Sequence, residues 1–259
     1  MKLTWASTAS VVLQEEDTCI VFDPFLGIPY QDTERKAELF HKADAVYITH
    51  GHFDHIAHLH RIYDSWPVPV YCTKTPYETL SDRPGLNLQC IGPDEEYETG
   101  PFHIHTYPSV HCRFDSGIIR KRLLSKSVLS PQLYRLLKLN RQYKENNEIL
   151  FYDIHVKDLH IQLLGSMGLR EDIEYPVNAD ILIMALQGRS DQDEYALRFI
   201  ERLKPKTVVL DHYDNAFAPM TDEVDPSGFV NNCMNRYGIR CIPLIPLKTY
   251  CQEDFLYDR

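Results

Sequence analysis

The strongest constraint on this 259-residue chain is the stretch 44–55, DAVYITHGHFDH, where an apolar segment runs directly into a group of ligating side chains. Residues 45–48 are apolar and predict a short buried strand, and Gly51 allows the backbone to turn sharply beyond its end. His50 and His52 are two residues apart, so in an extended chain their imidazoles point to the same side. The stretch therefore predicts that two imidazoles emerge together at a strand end.

Two further ligating residues complete the same stretch. Asp54 and His55 follow the turn, where the spacing of later apolar residues predicts that a helix begins. Imidazole nitrogen and carboxylate oxygen are ligands of Zn²⁺ and of similar first-row ions, so the stretch predicts a metal site. The alternative is a group of ordinary polar loop residues in a chain that contains 12 histidines.

The segment 49–55, THGHFDH, resembles the motif T-H-x-H-x-D-H of the metallo-β-lactamase superfamily. The resemblance implies an α/β fold, namely a four-layer αβ/βα sandwich, in which these histidines hold metal. It covers residues 1–112 and 149–250. We expect one domain over residues 1–259, with a helical insertion at about 113–148 that has no counterpart in the family.

Two more histidines follow predicted strands. His111 comes after a strand over 102–107 and lies 56 residues after His55, a separation at which the superfamily places its third metal histidine. His212 follows a strand over 207–210, at the position of the superfamily's last ligand, in a run that resembles the ascorbate-6-phosphate lactonase-like branch. For both histidines a purely structural role is the alternative.

The expected ligands form two groups. His50, His52 and His111 would hold one ion, which would lower the pKa of a bound water from about 15.7 towards ~7 and make hydroxide available. A second ion would be held by Asp54, His55 and His212. If that second site is empty, Asp54 is free to accept the proton of the water, which makes it the candidate catalytic residue.

The resemblance also gives meaning to Asp23 and Ser166. Asp23 follows a strand predicted over 18–22, and in the family an aspartate at the end of this strand packs near the metal loop. The alternative is that Asp23 only initiates a turn before Pro24. Ser166 stands where the family normally has an aspartate that bridges two ions. A hydroxyl cannot supply that charge, so we expect one or two ions of Zn²⁺ or Mn²⁺, with one tight and one weakened site, unless Asp211 or Asp153 substitutes.

The predicted insertion has an unusual charge. Residues 113–144 carry leucines at near-helical spacing, which predicts a helical hairpin. Their nine basic residues and one acidic residue give +8, so that the rest of the chain, −10 − 8, carries −18. We predict that the hairpin leans over the metal centre and binds an anionic substrate, with a solvated face or a subunit contact as the alternatives. The candidate substrate-binding residues are Arg113, Arg120, Arg122, Lys126 and, beyond the last predicted ligand, Tyr213.

Composition narrows the class of function. The net charge of −10 argues against a general nucleic-acid surface, and no apolar run is long enough to predict a membrane span. Seven scattered cysteines without a C-x-x-C pair argue against disulfides and against a thiolate zinc site, which favours a cytoplasmic protein. His103 and His105 alternate inside a predicted strand, where one polar face is the preferred interpretation.

We therefore expect a metal-dependent hydrolase that cleaves an ester, lactone or phosphoester bond of a small anionic substrate. No nucleic-acid or membrane partner is expected, and a homo-oligomer stays open. The alternatives are a nuclease and a non-catalytic protein of the same fold that binds a metal or a ligand.

Overall fold

The frame of the molecule is a pair of seven-stranded sheets. They are seen in a computed structural model that describes residues 1–28, 32–64, 67–123, 131–216 and 223–256, with side chains omitted at 121–123 and 132. The first sheet has the spatial order β14 (Thr249–Cys251), β1 (Lys2–Ser7), β2 (Ser10–Glu15), β3 (Thr18–Phe22), β4 (Ala45–Tyr47), β5 (Pro69–Cys72) and β6 (Asn87–Cys90). Strands β1 to β3 form an antiparallel meander, and β3 to β6 run parallel.

The second sheet mixes an antiparallel and a parallel half. Its spatial order is β13 (Arg240–Pro243), β12 (Thr207–Asp211), β11 (Ile181–Ala185), β10 (Leu159–Leu164), β9 (Ile149–Val156), β8 (Phe102–Ser109) and β7 (Glu96–Thr99). Strands β7 to β10 pair antiparallel, whereas β10 to β13 pair parallel. The edge strand β7 has the sequence EYET and was not predicted, because it lacks an apolar run.

Helices cover the outer faces of both sheets. They are α1 (Thr33–Phe40), α2 (Phe53–Ile56), α3 (Leu59–Tyr63), α4 (Lys74–Leu80), α5 (Ser116–Leu123), α6 (Pro131–Gln142), α7 (Gln192–Leu203) and α8 (Ser227–Asn232). Helix α7 has acidic residues in its first turn, which suits the helix dipole, and ends at Lys204 in a left-handed conformation. Helix α4 begins directly after its N-cap residue, Thr73. No helix in the described part of the chain is both long and apolar enough to cross a membrane.

The buried residues form three clusters that define four layers. The central cluster lies between the sheets and contains, for example, Trp5 from β1 and Tyr152 and Ile154 from β9. The other two clusters join each sheet to its own helices. Alternate strand residues therefore face either the opposite sheet or a helix layer, which confirms the predicted αβ/βα sandwich.

The predicted insertion contains two helices, α5 and α6, as expected for a helical hairpin. The segment that joins them, 124–130, lies outside the described residues and includes Lys126. Leu136 on α6 is buried in the cluster that covers the first sheet, so the insertion packs on the sandwich.

Candidate metal centre

All six predicted ligands meet at one end of the sandwich. The loop between β4 and α2 supplies His50 and His52, and α2 carries Asp54 and His55. His111 comes from the loop after β8, and His212 comes directly after β12. Because β4 belongs to the first sheet and β8 and β12 to the second, the group is assembled from both sheets.

The first cluster consists of three imidazoles. Ligand nitrogens of His50, His52 and His111 all lie within 4.8 Å of one another, and His50 Nε2 is 3.1 Å from His52 Nδ1. Burial lowers the pKa of His52 to about 4, helped by the neighbouring His111, and lowers the pKa of His50 well below its ordinary value. These two rings are therefore neutral at pH 7, which is the state that binds a metal ion.

Hydrogen bonds also fix which ring nitrogens are free. The Thr49 hydroxyl donates to Asp23 Oδ2 at 2.6 Å, so Thr49 Oγ1 is the acceptor for His50 Nδ1 at 3.0 Å. His111 Nδ1 lies 2.8 Å from the carbonyl oxygen of Cys112 and has to donate to it. In both His50 and His111, Nδ1 therefore carries the proton and Nε2 has the lone pair that can bind a metal ion. A hydrogen bond from the non-ligating nitrogen to a supporting partner is typical of metal-binding histidines.

The second cluster contains one carboxylate and two imidazoles. Asp54 Oδ2 lies 3.4 Å from His55 Nε2 and 3.2 Å from His212 Nε2. Burial would lower the pKa of His55, but the carboxylates of Asp23 and Asp54 outweigh it and raise that pKa to about 10. Burial would raise the pKa of Asp54, but His55 and His212 hold it well below its ordinary value. Without an ion, protonated His55 therefore stabilises the carboxylate of Asp54 in this cluster.

Asp23 supports both clusters from behind. It is fully buried and accepts hydrogen bonds from the Thr49 amide at 2.8 Å and the Thr49 hydroxyl, while His55 Nδ1 lies 2.9 Å from Asp23 Oδ2. Asp23 and His212 both have left-handed backbone conformations, with φ of 47° and 48°. Such conformations cost energy in residues other than glycine and are typical of functional sites. This geometry agrees with the role near the metal loop that the resemblance implied for Asp23.

The donor set fits first-row divalent ions. Three neutral imidazoles suit Zn²⁺, and a carboxylate with two imidazoles suits Zn²⁺ or Mn²⁺. Ser166 lies in the wall of the same site, and its hydroxyl accepts a hydrogen bond from the Cys112 amide at 3.0 Å. It brings no charge to the space between the clusters.

The two acids considered as substitutes for the missing carboxylate lie in different places. Asp153 lies on β9 between Tyr152 and Ile154, which face the central core, so its side chain points to the outer face of the second sheet and cannot bridge the two clusters. Asp211 directly precedes His212, is buried, and belongs to neither three-residue cluster; burial raises its pKa to about 7. That Asp211 replaces the bridging aspartate stays a prediction.

A cavity of about 1080 Å³ opens above the six ligands. The insertion forms much of its wall, but with apolar side chains: Phe114, Ile118, Ile119, Leu136 and Leu137. Two cations, Arg113 and Arg189, also line it. Arg189 is already paired with Asp191, at 2.6 and 2.9 Å, whereas Arg113 is exposed and makes no ion pair with the residues that are described.

Among the other predicted substrate-binding residues, Arg120 and Tyr213 do not line the cavity. Arg120 is exposed on α5 and does not line the cavity. The side chain of Arg122 and the whole of Lys126 fall outside the described residues. Tyr213 packs its ring on Trp5, at 5.0 Å between centroids, and donates its hydroxyl to the Leu244 carbonyl. The described basic side chains of the insertion thus face solvent, apart from Arg113.

The structure adds one acidic residue that the sequence did not indicate. Glu145, at the end of the insertion, lines the cavity and has a buried oxygen, Oε2, without a hydrogen bond to the described residues. The neighbouring Lys144 explains Gly51, because a Cβ at residue 51 would lie 2.1 Å from the Lys144 carbonyl oxygen. Gly51 has no left-handed backbone, so it is required by this close approach and not by the predicted turn.

Comparison with known proteins gives the same picture. The family profile described as "Beta-lactamase superfamily domain" matches residues 2–212. A UPF0173 metal-dependent hydrolase of Archaeoglobus fulgidus is 25% identical over 237 residues, which are 88% of this chain and 89% of the relative. A probable metallo-hydrolase of Bacillus subtilis, YqgX, is 30% identical over 110 residues, but these are 36% of this chain and only 51% of that protein.

Solved structures share the fold at low sequence identity. The metallo hydrolase Igni18 of Ignicoccus hospitalis superposes with a TM-score of 0.68 at 18% identity, covering 96% of this chain and 97% of the other. Zn²⁺-bound PqqB of Methylobacterium extorquens gives a TM-score of 0.60 at 14% identity, covering 93% and 86%. At these identities the likeness concerns the arrangement of strands and helices.

Proposed function

Since this chain belongs to the β-lactamase superfamily and is a metal-dependent hydrolase, we propose that it cleaves an ester, lactone or phosphoester bond of a small anionic substrate. The observation that carries the proposal is the cavity of about 1080 Å³ with six metal-ligating side chains at its base. Its size suits a small molecule, because ligand pockets commonly have volumes of ~300–1,000 Å³.

The three imidazoles of the first cluster would hold the principal ion, and we favour Zn²⁺ because imidazole nitrogen is among its preferred ligands. A divalent ion bound there supplies the Lewis acidity that makes water a nucleophile near neutral pH. Thr49 and the Cys112 carbonyl fix the His50 and His111 rings, so the ligands are oriented before any ion arrives.

Two carboxylates serve proton transfer in this proposal. When the second cluster is empty, Asp54 accepts the proton of the attacking water. When the second cluster is filled, Asp54 is a ligand, and the free oxygen of Glu145 takes over this task because it lies in the cavity without a hydrogen-bonding partner among the described residues. Ser166 has no carboxylate to bridge two ions, which supports a weaker second site.

The cavity wall suggests the form of the substrate. The apolar side chains of α5 and α6 fit an acyl, aryl or alkyl group, and Phe114 and Leu137 are 64% and 52% exposed, which leaves room for such a contact. Arg113 is the cation that lines the cavity without an acidic partner among the described residues, so it binds the anionic group. The substrate is therefore an amphipathic ester or phosphoester.

The test compares two substrates and two arginine variants. We expect the Zn²⁺-loaded or Mn²⁺-loaded protein to hydrolyse bis-p-nitrophenyl phosphate, an anion, and p-nitrophenyl butyrate, a neutral ester. Arg113→Gln should lower kcat/KM for the anion by about tenfold, as expected from losing a charge-assisted hydrogen bond, and should leave the neutral ester nearly unchanged. Arg120→Gln is the matched control, because it removes the same charge from a residue outside the cavity.

Three results would argue against parts of the proposal. If neither substrate is hydrolysed with either metal, the proposal that the protein cleaves ester, lactone or phosphoester bonds is rejected. An equal loss in both arginine variants would mean that the general charge of the insertion attracts the substrate. Cleavage of RNA or single-stranded DNA at a higher kcat/KM than either small substrate would favour a nuclease.

A further inference from the structure

A further group of potential metal ligands, separate from the two clusters of the main centre, lies on the outer face of the second sheet and does not line the cavity. Asp153 and His155 are two residues apart on β9, and His160 on β10 is the direct cross-strand partner of His155. Ile154 on β9 and Ile161 on β10 point into the central core. The three polar side chains therefore share the opposite face.

The ligand atoms of this group converge. His160 Nε2 lies 2.6 Å from Asp153 Oδ1, and His155 Nε2 lies 3.2 Å from Asp153 Oδ2. The two imidazole rings are parallel, with centroids 4.4 Å apart and an angle of 10° between their planes. All three ligand atoms fit within 4.8 Å of one another, the same limit that the two clusters of the main centre satisfy.

We propose that Asp153, His155 and His160 form a separate surface site for a first-row divalent cation such as Zn²⁺ or Cu²⁺. Bonds of about 2.0–2.2 Å to nitrogen and oxygen place neighbouring ligand atoms about 3.0–3.4 Å apart. The two nitrogen–oxygen distances, 2.6 and 3.2 Å, lie within 1 Å of that range, and the two nitrogens lie within 4.8 Å of each other. One carboxylate and two imidazoles are an established ligand combination for such ions.

The carboxylate is held in place for this role. Asp153 is buried, and Gln162, which is fully buried, donates from Nε2 to Asp153 Oδ1 at 3.2 Å and to the Pro176 carbonyl at 2.8 Å. Both amide hydrogens of Gln162 are thereby used, which fixes the orientation of the amide and supports the carboxylate from behind. A ligand with such a supporting partner is a common feature of metal sites.

The site is also open to ions from solvent. The His155 side chain is 55% exposed and that of His160 is 18% exposed, so a hydrated ion can reach both rings. Neither Nδ1 has a hydrogen bond within the described residues, so the proton can reside there and leave Nε2 free. On β7, which β8 separates from β9, Glu96 and Glu98 add negative charge to the same face.

The competing explanation is a hydrogen-bonded trio in which the imidazoles merely donate to the carboxylate. The two explanations differ in the number of ions that the protein binds. Isothermal titration of Zn²⁺ into metal-free protein should show one more equivalent in the parent than in His155→Ala, His160→Gln or Asp153→Asn. Because the comparison is a difference between parent and variant, ions that enter the main centre cancel.

His103→Ala is the matched control, since His103 is exposed on the same face, opposite His155, but does not belong to the ligand group. It should bind as many equivalents as the parent. In parallel, Cu²⁺ added as a probe should give an electron paramagnetic resonance spectrum with coupling to two imidazole nitrogens, reduced to one in His155→Ala. His155 is exposed, so this variant retains the fold, and circular dichroism verifies it.

The proposal is overturned if the parent and His155→Ala bind the same number of Zn²⁺ equivalents. It is equally overturned if His103→Ala loses the additional equivalent, because the binding would then belong to the polar face in general. Hydrolysis of p-nitrophenyl butyrate should be unchanged in His155→Ala, since the surface site contributes no residue to the cavity.

Discussion

Filling the two clusters of the main centre should release different numbers of protons. In the first cluster the pKa of His52 is about 4 and that of His50 is lower still, so these rings are already unprotonated at pH 7. In the second cluster the carboxylates of Asp23 and Asp54 hold the pKa of His55 at about 10. An ion that binds His55 must therefore displace a proton, whereas the ion in the first cluster need not displace one from His50 or His52.

The size of this effect follows from the pKa. At pH 7, three pH units below a pKa of about 10, displacing the proton of His55 costs about 4 kcal/mol, since each unit corresponds to ~1.4 kcal/mol. This weakens the second ion by roughly a thousandfold relative to an unprotonated site. The group has a raised pKa, so its proton is fully bound below the ordinary value of 6.5 and is lost only as the pH rises through about 10. Affinity for the second ion should thus rise about tenfold per pH unit from pH 7 towards pH 10.

The assay is calorimetric titration of Zn²⁺ at pH 7 in several buffers that differ in ionisation enthalpy. The dependence of the observed heat on that enthalpy gives the number of protons released by each ion. For the tight ion we expect at most about half a proton, from a bound water whose pKa is lowered towards ~7. For the weak ion we expect at least one, with His212 adding a further fraction because Asp54 raises its pKa against the effect of burial.

The decisive variant is Asp23→Asn, which removes a charge beside His55 while keeping the size of the side chain. Proton release by the weak ion should fall below one per ion. Asp180→Asn is the control, because Asp180 is also a buried aspartate but pairs with Lys206 at 2.7 Å and not with a ligand. Equal proton release by both ions in the parent would refute the reasoning, as would unchanged release in Asp23→Asn.

Three further predictions concern the centre and its frame. His111→Ala should lose the tight ion, as measured by elemental analysis. The control is His41→Ala, which should retain the ion because His41 is exposed and lies outside the clusters. Equal metal contents in the two variants would show that the imidazole cluster does not hold the ion. Ser166→Asp should raise the metal content from near one towards two ions per chain. An unchanged metal content would show that the missing carboxylate is not the reason why the second site is weak. Tyr152→Phe removes the buried hydroxyl that donates to the Ile48 carbonyl at 2.7 Å and should lower the free energy of unfolding in urea by about 1–2 kcal/mol, against no change for Tyr134→Phe, whose ring is 75% exposed.

The metal ligands were predictable because the sequence marks both their chemistry and their position. His50 and His212 follow apolar runs, and His111 follows a segment in which apolar and polar residues alternate; these segments formed the strands β4, β12 and β8. In a sandwich built from such strands, residues at the strand ends gather at one edge, so the convergence followed from the fold. The family resemblance supplied the grouping into two clusters.

Other features depend on contacts that a sequence pattern does not contain. The near-helical spacing of the leucines in the insertion predicted helices. It did not reveal that Leu136 and Leu137 face the cavity while the described basic side chains, apart from Arg113, face solvent. The role of Glu145 depends on how the end of the insertion packs against Gly51. The surface group around Asp153 depends on the register between β9 and β10, which places His155 opposite His160.

The origin of the six ligands in both sheets determines when the centre can exist during synthesis. His50 to His55 are made early, but His111 and His212 come from strands of the second sheet, and 157 residues separate His55 from His212 along the chain. A nascent chain that ends after β6 carries four of the six donors but neither His111 nor His212. The two sheets must therefore pack against each other before either cluster is complete. The metal accordingly binds after the fold has formed and cannot act as the nucleus around which the chain folds.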